Sequence, residues 1–501
     1  MSTALHRVES DCFRLIYENE STKEESLELV VPDVCGDVGK ILDTRAQVSL
    51  NSKKISGDEL IISAQAEVSI IYSAEGSCEI HRISALIPFE QSFGLNGGED
   101  CTAIMAQATL SSIDTRALNP RKLLIRAEIK THVSCYAPDK FVVWDSLENC
   151  EEAPVYIQQS QIEHSLITGV CEKSFTLSDE YILPSKYADV RMLAANTDIC
   201  VFDTNSVGNK LVFKARANTT AIFLNKEDNC LFRYDFTTQF SQIIETDGIG
   251  DEHECSVTAQ IKELEFTSLP DRENITFAVR MGICAQALCM ENISSVYISD
   301  AYSNEYELKT EYEEIKALKI SEPKTMRISL NGSLPSKASI RDIMYIAPVT
   351  LGCTKDRKEL SCLVTARGAG IDHNGNIEAL EVELKGSCEI PNPENGDVRL
   401  LSLCWETLVC EPAAEFSMEL VVEYIIEECF QLRSVSGLEI VEEAPQRKEG
   451  CPSLIVICAQ GHMDIWTLAK KYGSTTELIE SANTGEEGFF IEKRPLIIPR
   501  E

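Results

Sequence analysis

The chain has 501 residues, of which 44% are hydrophobic, and a formal net charge of −34. Its length predicts several domains, and its hydrophobic content excludes wholesale disorder. The negative charge disfavours nucleic acid and anionic lipid as partners, because both bind to clustered Lys and Arg. Residues 1–11 lack the apolar segment of a secretory signal, and no run of 18 apolar residues occurs. We therefore expect a cytoplasmic protein without a transmembrane segment, whose 20 cysteines are free thiols.

Three landmarks recur in order at a spacing near 150 residues, which predicts tandem domains. The first is a short amphipathic segment, at 37–42, 189–194 and 339–344. The second is a strand-like run that begins at residues 59, 210 and 359. The third is a pair of strands, within 101–135, 255–285 and 398–427. The predicted domains are 1–150, 151–292 and 293–430.

Apolar residues alternate along these runs, as Leu123, Ile125, Ala127 and Ile129 do. This period of two places apolar side chains on one face of a strand. Asn-Gly pairs at 96–97 and 374–375 supply the positive φ angles of tight hairpins. The sequence thus predicts a mainly β fold, with three tandem antiparallel β-sandwich-like or barrel-like domains. Residues 431–452 are rich in charged and small residues, which predicts an acidic linker.

After the linker the pattern predicts a small βααβ module at residues 453–501. Residues 454–457 form an apolar strand, and 464–473 have helical spacing and end at a Gly. A second helix follows a Thr at 475, and residues 495–499 close the module as a strand.

The module resembles the LysM family, mainly at Trp466–Ala469, Tyr472-Gly473, Asn483 and Leu496–Pro499. It differs from that family at the glycan-facing loops, because the segment from Gly461 to Trp466 is one residue longer than usual and residues 484–490 are also extended. We therefore expect it to bind protein, with glycan binding as the alternative. The expected contact residues for either ligand are Gly461, Asp464, Ile465, Trp466, Asn483, Phe489 and Phe490. Trp466 and Tyr472 have a second interpretation, as core residues of a very small domain.

No enzyme signature is present in the sequence. It contains no phosphate-binding loop, no dinucleotide fingerprint and no His-Glu-x-x-His pair. The glycine-rich stretch 368–375 is interpreted as a hairpin turn, since no helix follows it. The adjacent His253, Glu254 and Cys255 precede a strand, where neighbouring side chains point to opposite faces. We expect no catalytic residues, no metal and no cofactor.

The architecture as a whole resembles the SipL-type spore coat proteins, whose repeated unit is the SPOCS domain. The resemblance depends on Asp37–Leu42, the strand run that ends near Tyr72, and Leu86-Ile87-Pro88-Phe89. The third copy diverges most. The resemblance implies a non-enzymatic adaptor in the mother-cell cytosol, at the forespore surface. It implies docking through the LysM module onto the spore coat morphogenetic ATPase. The alternative function is a LysM protein that binds peptidoglycan or another N-acetyl-glycan.

Overall fold

The structure is a computed structural model that describes residues 2–77, 79–95, 101–148, 155–184, 186–187, 189–246, 249–269, 274–334, 340–391, 393–411, 414–443, 453–458, 464–483 and 495–500. Antiparallel strands dominate it, which confirms the predicted mainly β class. In these residues, no helix combines the length and apolarity that crossing a membrane requires. The hairpin predicted at 96–97 lies outside the described residues.

The same order of strands occurs three times along the chain. A long strand leads into a three-stranded meander, and a hairpin then brings the chain back to pair with the long strand. We call these stretches the first, second and third β-units (residues 5–147, 155–303 and 306–443). The first contains β2 (Leu5–Val30), β3 (Val38–Ser56), β4 (Glu59–Ala74), β5 (Ile80–Gly94), β6 (Ala103–Asn119) and β7 (Lys122–Leu147), after a short β1 (Ser2–Thr3).

The second and third β-units follow the same plan, and the third differs at its leading strand. The second contains β8 (Val155–Ile182), β9 (Val190–Val207), β10 (Lys210–Asn225), β11 (Cys230–Glu245), β12 (Glu254–Leu269) and β13 (Thr276–Ser303). The third contains β14 (Tyr306–Ile320), β15 (Lys324–Ser333), β16 (Ile340–Asp356), β17 (Glu359–Asp372), β18 (Ile377–Glu389), β19 (Gly396–Glu411) and β20 (Glu415–Glu443). Its leading strand is divided in two at Pro323, which has no N–H for the ladder, and both parts pair with β20.

Each β-unit buries its apolar residues between the meander and the hairpin. In the first, alternate residues of β4 (Leu60, Ile62) and of β7 (Leu123, Ile125) are fully buried in one core. Period-two alternation on both strands therefore forms the two inner faces of a sandwich. An equivalent backbone hydrogen bond closes each β-unit. The three bonds are Val31 N to Arg121 O (2.9 Å), Leu183 N to Ile275 O (3.0 Å) and Leu334 N to Ala414 O (3.2 Å).

The three meanders meet in one central core. Leu42, Leu193 and Met344 occupy equivalent places there, and each is the extra residue where the ladder of β3, β9 or β16 shifts register. A β-bulge bends its strand locally, so these bulges direct one side chain from each β-unit toward the others. Gly368 on β17 allows close approach here, because a Cβ at this position would overlap the carbonyl oxygen of Tyr345.

A buried ion pair ties the first β-unit to the third at this centre. Arg45 and Asp43 are each 2% exposed, and Arg45 Nε donates to Asp43 at 2.7 Å. The Tyr345 hydroxyl donates to the same carboxylate at 2.9 Å. Three more guanidinium N–H groups donate to carbonyl oxygens of the third β-unit, at Ala347 (3.1 Å), Pro348 (3.0 Å) and Arg367 (3.0 Å). Asp43 and Arg45 are bonded to each other within the first β-unit, and their other hydrogen bonds fix how the third β-unit packs against it.

Beyond the sandwiches, the far ends of the long strands pack against one another. We call this region the stalk: residues 5–16, 136–147, 155–167, 288–303, 306–320 and 425–443. Two apolar clusters fill it, one around Tyr136 and Met290 and one around Ile298 and Val435. The short β1 pairs with β20 there, so the beginning of the chain is joined to its last long strand.

Three expectations from the sequence were wrong. The domain boundary predicted at 292/293 lies inside β13, which continues to Ser303. Residues 431–443 are not linker but the end of β20, where they pair with β14; Val435 and Leu438 are buried there. Residues 444–452 lie outside the described residues. The cysteines are not all free, because disulfides join Cys255 to Cys289 and Cys353 to Cys362. Both pairs lie directly opposite each other on adjacent antiparallel strands, where the Cβ atoms are close enough to bridge.

Candidate interaction site at the C-terminus

The C-terminal elements occur in the order strand, helix, helix, strand: β21 (Leu454–Cys458), α1 (Ile465–Tyr472), α2 (Thr476–Ala482) and β22 (Pro495–Pro499). We call residues 453–500 the C-terminal module. The two strands pair antiparallel, and the helices cover one face of the sheet. The described core of the module is small: Leu468, Ala469, Ile479 and Ile498 are buried, and Trp466 and Tyr472 are half-buried against them.

Local sequence signals fix both ends of α1. The Asp464 carboxylate caps the helix by accepting from Trp466 N and Thr467 N, both at 3.3 Å. Gly473 ends it with a φ of +65°, the left-handed conformation that glycine adopts without strain. Lys470 lies in the last turn, where the helix dipole favours a cation. Trp466 and Lys470 are four residues apart and therefore share a face of α1.

Asn483 holds the second helix to the closing strand. Its Nδ2 donates to the carbonyl oxygens of Ile479 and Ile497, each at 2.6 Å, and its Oδ1 accepts from Ile497 N at 2.9 Å. The side-chain amide is thus bonded to backbone through both its nitrogen and its oxygen. The structure places this residue in the framework of the module, where it supports the fold rather than presenting free polar groups.

The face of α1 that carries Trp466 lies against the stalk. The indole Nε1 of Trp466 donates to Asp300 Oδ2 at 2.9 Å, and Lys470 Nζ contacts both carboxylate oxygens at 2.6 and 2.8 Å. The rings of Trp466 and Tyr302 meet edge to face, 4.8 Å between centroids, and Tyr302 stacks on Tyr156 at 5.1 Å. The Tyr302 hydroxyl donates to Ser474 O at 3.0 Å. We call this set of interactions the stalk contact.

Asp300 is the polar centre of the stalk contact. It also accepts from the Tyr312 hydroxyl at 2.8 Å, and the Arg433 guanidinium lies 3.7 Å from the centre of the Tyr312 ring. Burial alone would raise the pKa of Asp300, but hydrogen bonds from Lys470, Trp466 and Tyr312 lower it below its ordinary value. The carboxylate is therefore held in its charged form, as an acceptor that matches an indole N–H and an ammonium group.

The structure brings together only part of the predicted contact set. Asp464 is exposed and Ile465 half-buried, both at the start of α1, while Trp466 is bonded to the stalk and Asn483 to the backbone. The other three predicted residues, Gly461, Phe489 and Phe490, lie outside the described residues. Sequence reasoning missed Asp300 and Tyr302, because neither residue type stands out in an acidic, strand-rich segment.

The side chains that commonly bind metal ions are not grouped together in the described part of the chain. Among the described residues, no group of three His, Cys, Asp or Glu side chains converges to hold a metal ion. His253 and Glu254 are adjacent in sequence but have separate partners: His253 Nδ1 accepts from Gly250 N at 2.9 Å, and a Glu254 oxygen accepts from Asn292 at 3.1 Å.

Comparison with known protein families gives a match for one part of the chain. Residues 37–133 match the family model described as the SipL, SPOCS domain. The match begins just before β3 and ends within β7, so it includes the meander of the first β-unit and the Asp43–Arg45 pair. It also contains all three segments on which the sequence resemblance depends. No curated protein and no solved structure matched the chain.

Proposed function

We propose that this protein is a non-enzymatic scaffold of spore coat assembly, built from three tandem SPOCS-like domains and a C-terminal LysM-like module. The observation that carries the proposal is the SPOCS match at residues 37–133. The threefold repetition of the strand order extends that architecture to the two later β-units. In this proposal the chain acts in the mother-cell cytosol, at the forespore surface, and binds the spore coat morphogenetic ATPase through its module.

The shape of the molecule supports an adaptor. Three β-units meet at one core and project a stalk, and the module lies at the stalk, close to Tyr156 and Tyr302. Rigid units at fixed spacing present several surfaces at once, so weak contacts add to a strong attachment without one tight site. A formal charge of −34 keeps such a molecule from associating with itself through its general surface.

Direct binding tests the proposal against the glycan alternative. The purified full chain is measured by biolayer interferometry on the immobilised coat ATPase and by co-sedimentation with purified peptidoglycan. We expect binding to the ATPase and none to peptidoglycan. Sedimentation with peptidoglycan, with no binding to the ATPase, would reverse the assignment.

A conservative pair of variants locates the contact on the module. Asp464→Asn keeps a good helix cap while it removes one exposed charge at the start of α1. Glu480→Gln removes one exposed charge from α2 and serves as the matched control. We expect the first variant to weaken ATPase binding severalfold and the second to leave it unchanged. Equal affinities for both variants would remove Asp464 from the contact surface.

A further inference from the structure

The stalk contact has a composition that differs from the cores of the β-units. It depends on a carboxylate, an ammonium group and an indole N–H, with side-chain exposures of 22% for Asp300 and 40% for Lys470. Tyr302, Tyr156 and Trp466 add aromatic surface, and Tyr302, which is 5% exposed, packs in the same small apolar cluster as Leu468, Ala469 and Ile479. A small apolar centre bordered by polar groups that are partly open to water resembles the transient interfaces between domains more than the large cores of the β-units.

The chemistry of the contact is also selective. Asp300 presents its two oxygens to two different donors that are four residues apart on one helix, and Tyr302 adds a ring against the indole and a hydroxyl that donates to the Ser474 carbonyl. A helix that lacked either the indole or the cation would make fewer hydrogen bonds to Asp300. Side-chain charge and hydrogen-bond direction therefore match Trp466 and Lys470 in particular.

From this geometry we propose that Asp300, Tyr302 and Tyr156 form a docking surface for the Trp466 face of α1, and that the module must leave it to engage its protein partner with that face. The proposal rests on the proposed function, since it concerns the same module. In the docked form the indole is covered, so the observed affinity for the partner equals the intrinsic affinity multiplied by the fraction of molecules that are undocked. Weakening the stalk contact should therefore strengthen partner binding.

The first measurement needs no partner. The chain has three tryptophans, so 5-fluorotryptophan labelling gives three ¹⁹F resonances, and Trp466→Phe identifies the relevant one. Its H₂O–D₂O isotope shift reports contact of the indole with water. We expect Asp300→Ala and Lys470→Met to raise the undocked fraction at least tenfold. Lys471→Met is the matched control, because it removes the same charge from the neighbouring position, where the ammonium lies 5.3 Å from the Tyr472 ring.

The second measurement is the affinity of Asp300→Ala and Lys471→Met for the purified coat ATPase. Lys470→Met is left out of this measurement, because Lys470 lies on the face of α1 that the partner would contact. The gain in affinity of Asp300→Ala should equal its gain in undocked fraction, and Lys471→Met should change neither quantity. If Asp300→Ala impairs folding, Asp300→Asn replaces it in both measurements, since it removes the charge and keeps the shape of the side chain.

Each result supports the proposal or overturns it. A Trp466 resonance that stays in place in both variants rejects the docking surface. Undocking with unchanged affinity rejects competition with the partner and leaves the proposed function intact. Undocking with no ATPase binding by any variant, the parent chain included, rejects the proposed function and the competition with it.

Discussion

Asp43→Ala should strongly destabilise the protein, because it removes the counter-charge of a buried guanidinium. Arg45 lies 2% exposed at the centre of the molecule, and Asp43 is its single charged partner among the hydrogen bonds that it makes. Truncation leaves Arg45 Nε without an acceptor and the Tyr345 hydroxyl without its own. Removing one member of a buried ion pair costs about 3–5 kcal/mol. Because Arg45 keeps its bonds to carbonyl oxygens, we expect the loss of stability to be about 3 kcal/mol, at the lower end of this range.

The assay is equilibrium urea unfolding, followed by far-UV circular dichroism and by tryptophan fluorescence. Asp114→Ala is the matched control, because Asp114 and Arg116 form the same two-residue spacing on one strand but are largely exposed. An exposed pair contributes about 0–1 kcal/mol, so this control should unfold close to the parent chain. The double variant Asp43→Leu with Arg45→Met removes the uncompensated charge but leaves three carbonyl oxygens without their donor, so it should recover part of the loss. A loss below about 1 kcal/mol for Asp43→Ala would refute the reasoning, since the pair would then behave as if solvated.

Three further predictions concern other parts of the molecule. His164 is 2% exposed, and burial lowers its pKa to about 4, so the unfolded chain binds a proton at higher pH than the folded chain does. About 3 kcal/mol of stability should therefore be lost as the pH falls from about 6.5 to about 4. The urea midpoint of His164→Gln should lack that part of the pH dependence. Gly368→Ala should destabilise the protein by about 3 kcal/mol in urea unfolding, because its Cβ would overlap Tyr345 O. Gly352→Ala, where a Cβ meets open space, should be tolerated in the same urea unfolding assay. Asn483→Ala should loosen the module by about 2–3 kcal/mol, because two backbone groups of β22 lose their partner; faster amide exchange confined to the module would show it, and unchanged exchange would contradict the assigned role.

Local patterns predicted much of the fold. Alternating residues such as Leu123 and Ile125 identified strands, because burial on one face of a sheet imposes a period of two. The turn at Asn374-Gly375 is confirmed, with Gly375 at a φ of +85°. Gly473 indicated the end of α1 and Thr475 the start of α2, since capping depends on residues that are adjacent in sequence.

Long-range contacts account for what the sequence could not predict. Asp43 and Arg45 look like the polar face of an exposed strand, and only the third β-unit, some 300 residues later, buries them. Residues 431–443 looked like linker because their charged and small residues are abundant, yet β14 gives them a pairing partner. Asp300 acquires its importance from a helix 166 residues away in sequence.

The central core also constrains how this chain can be divided. A chain of independently folded domains could lose one domain and keep the others intact. Here, removing the third β-unit would expose Arg45 to water and would also expose apolar residues of the central core such as Leu42 and Leu193. Repeats joined in this way should unfold in a single calorimetric transition. If a β-unit were lost during evolution, the residues of the central core would first have to be replaced.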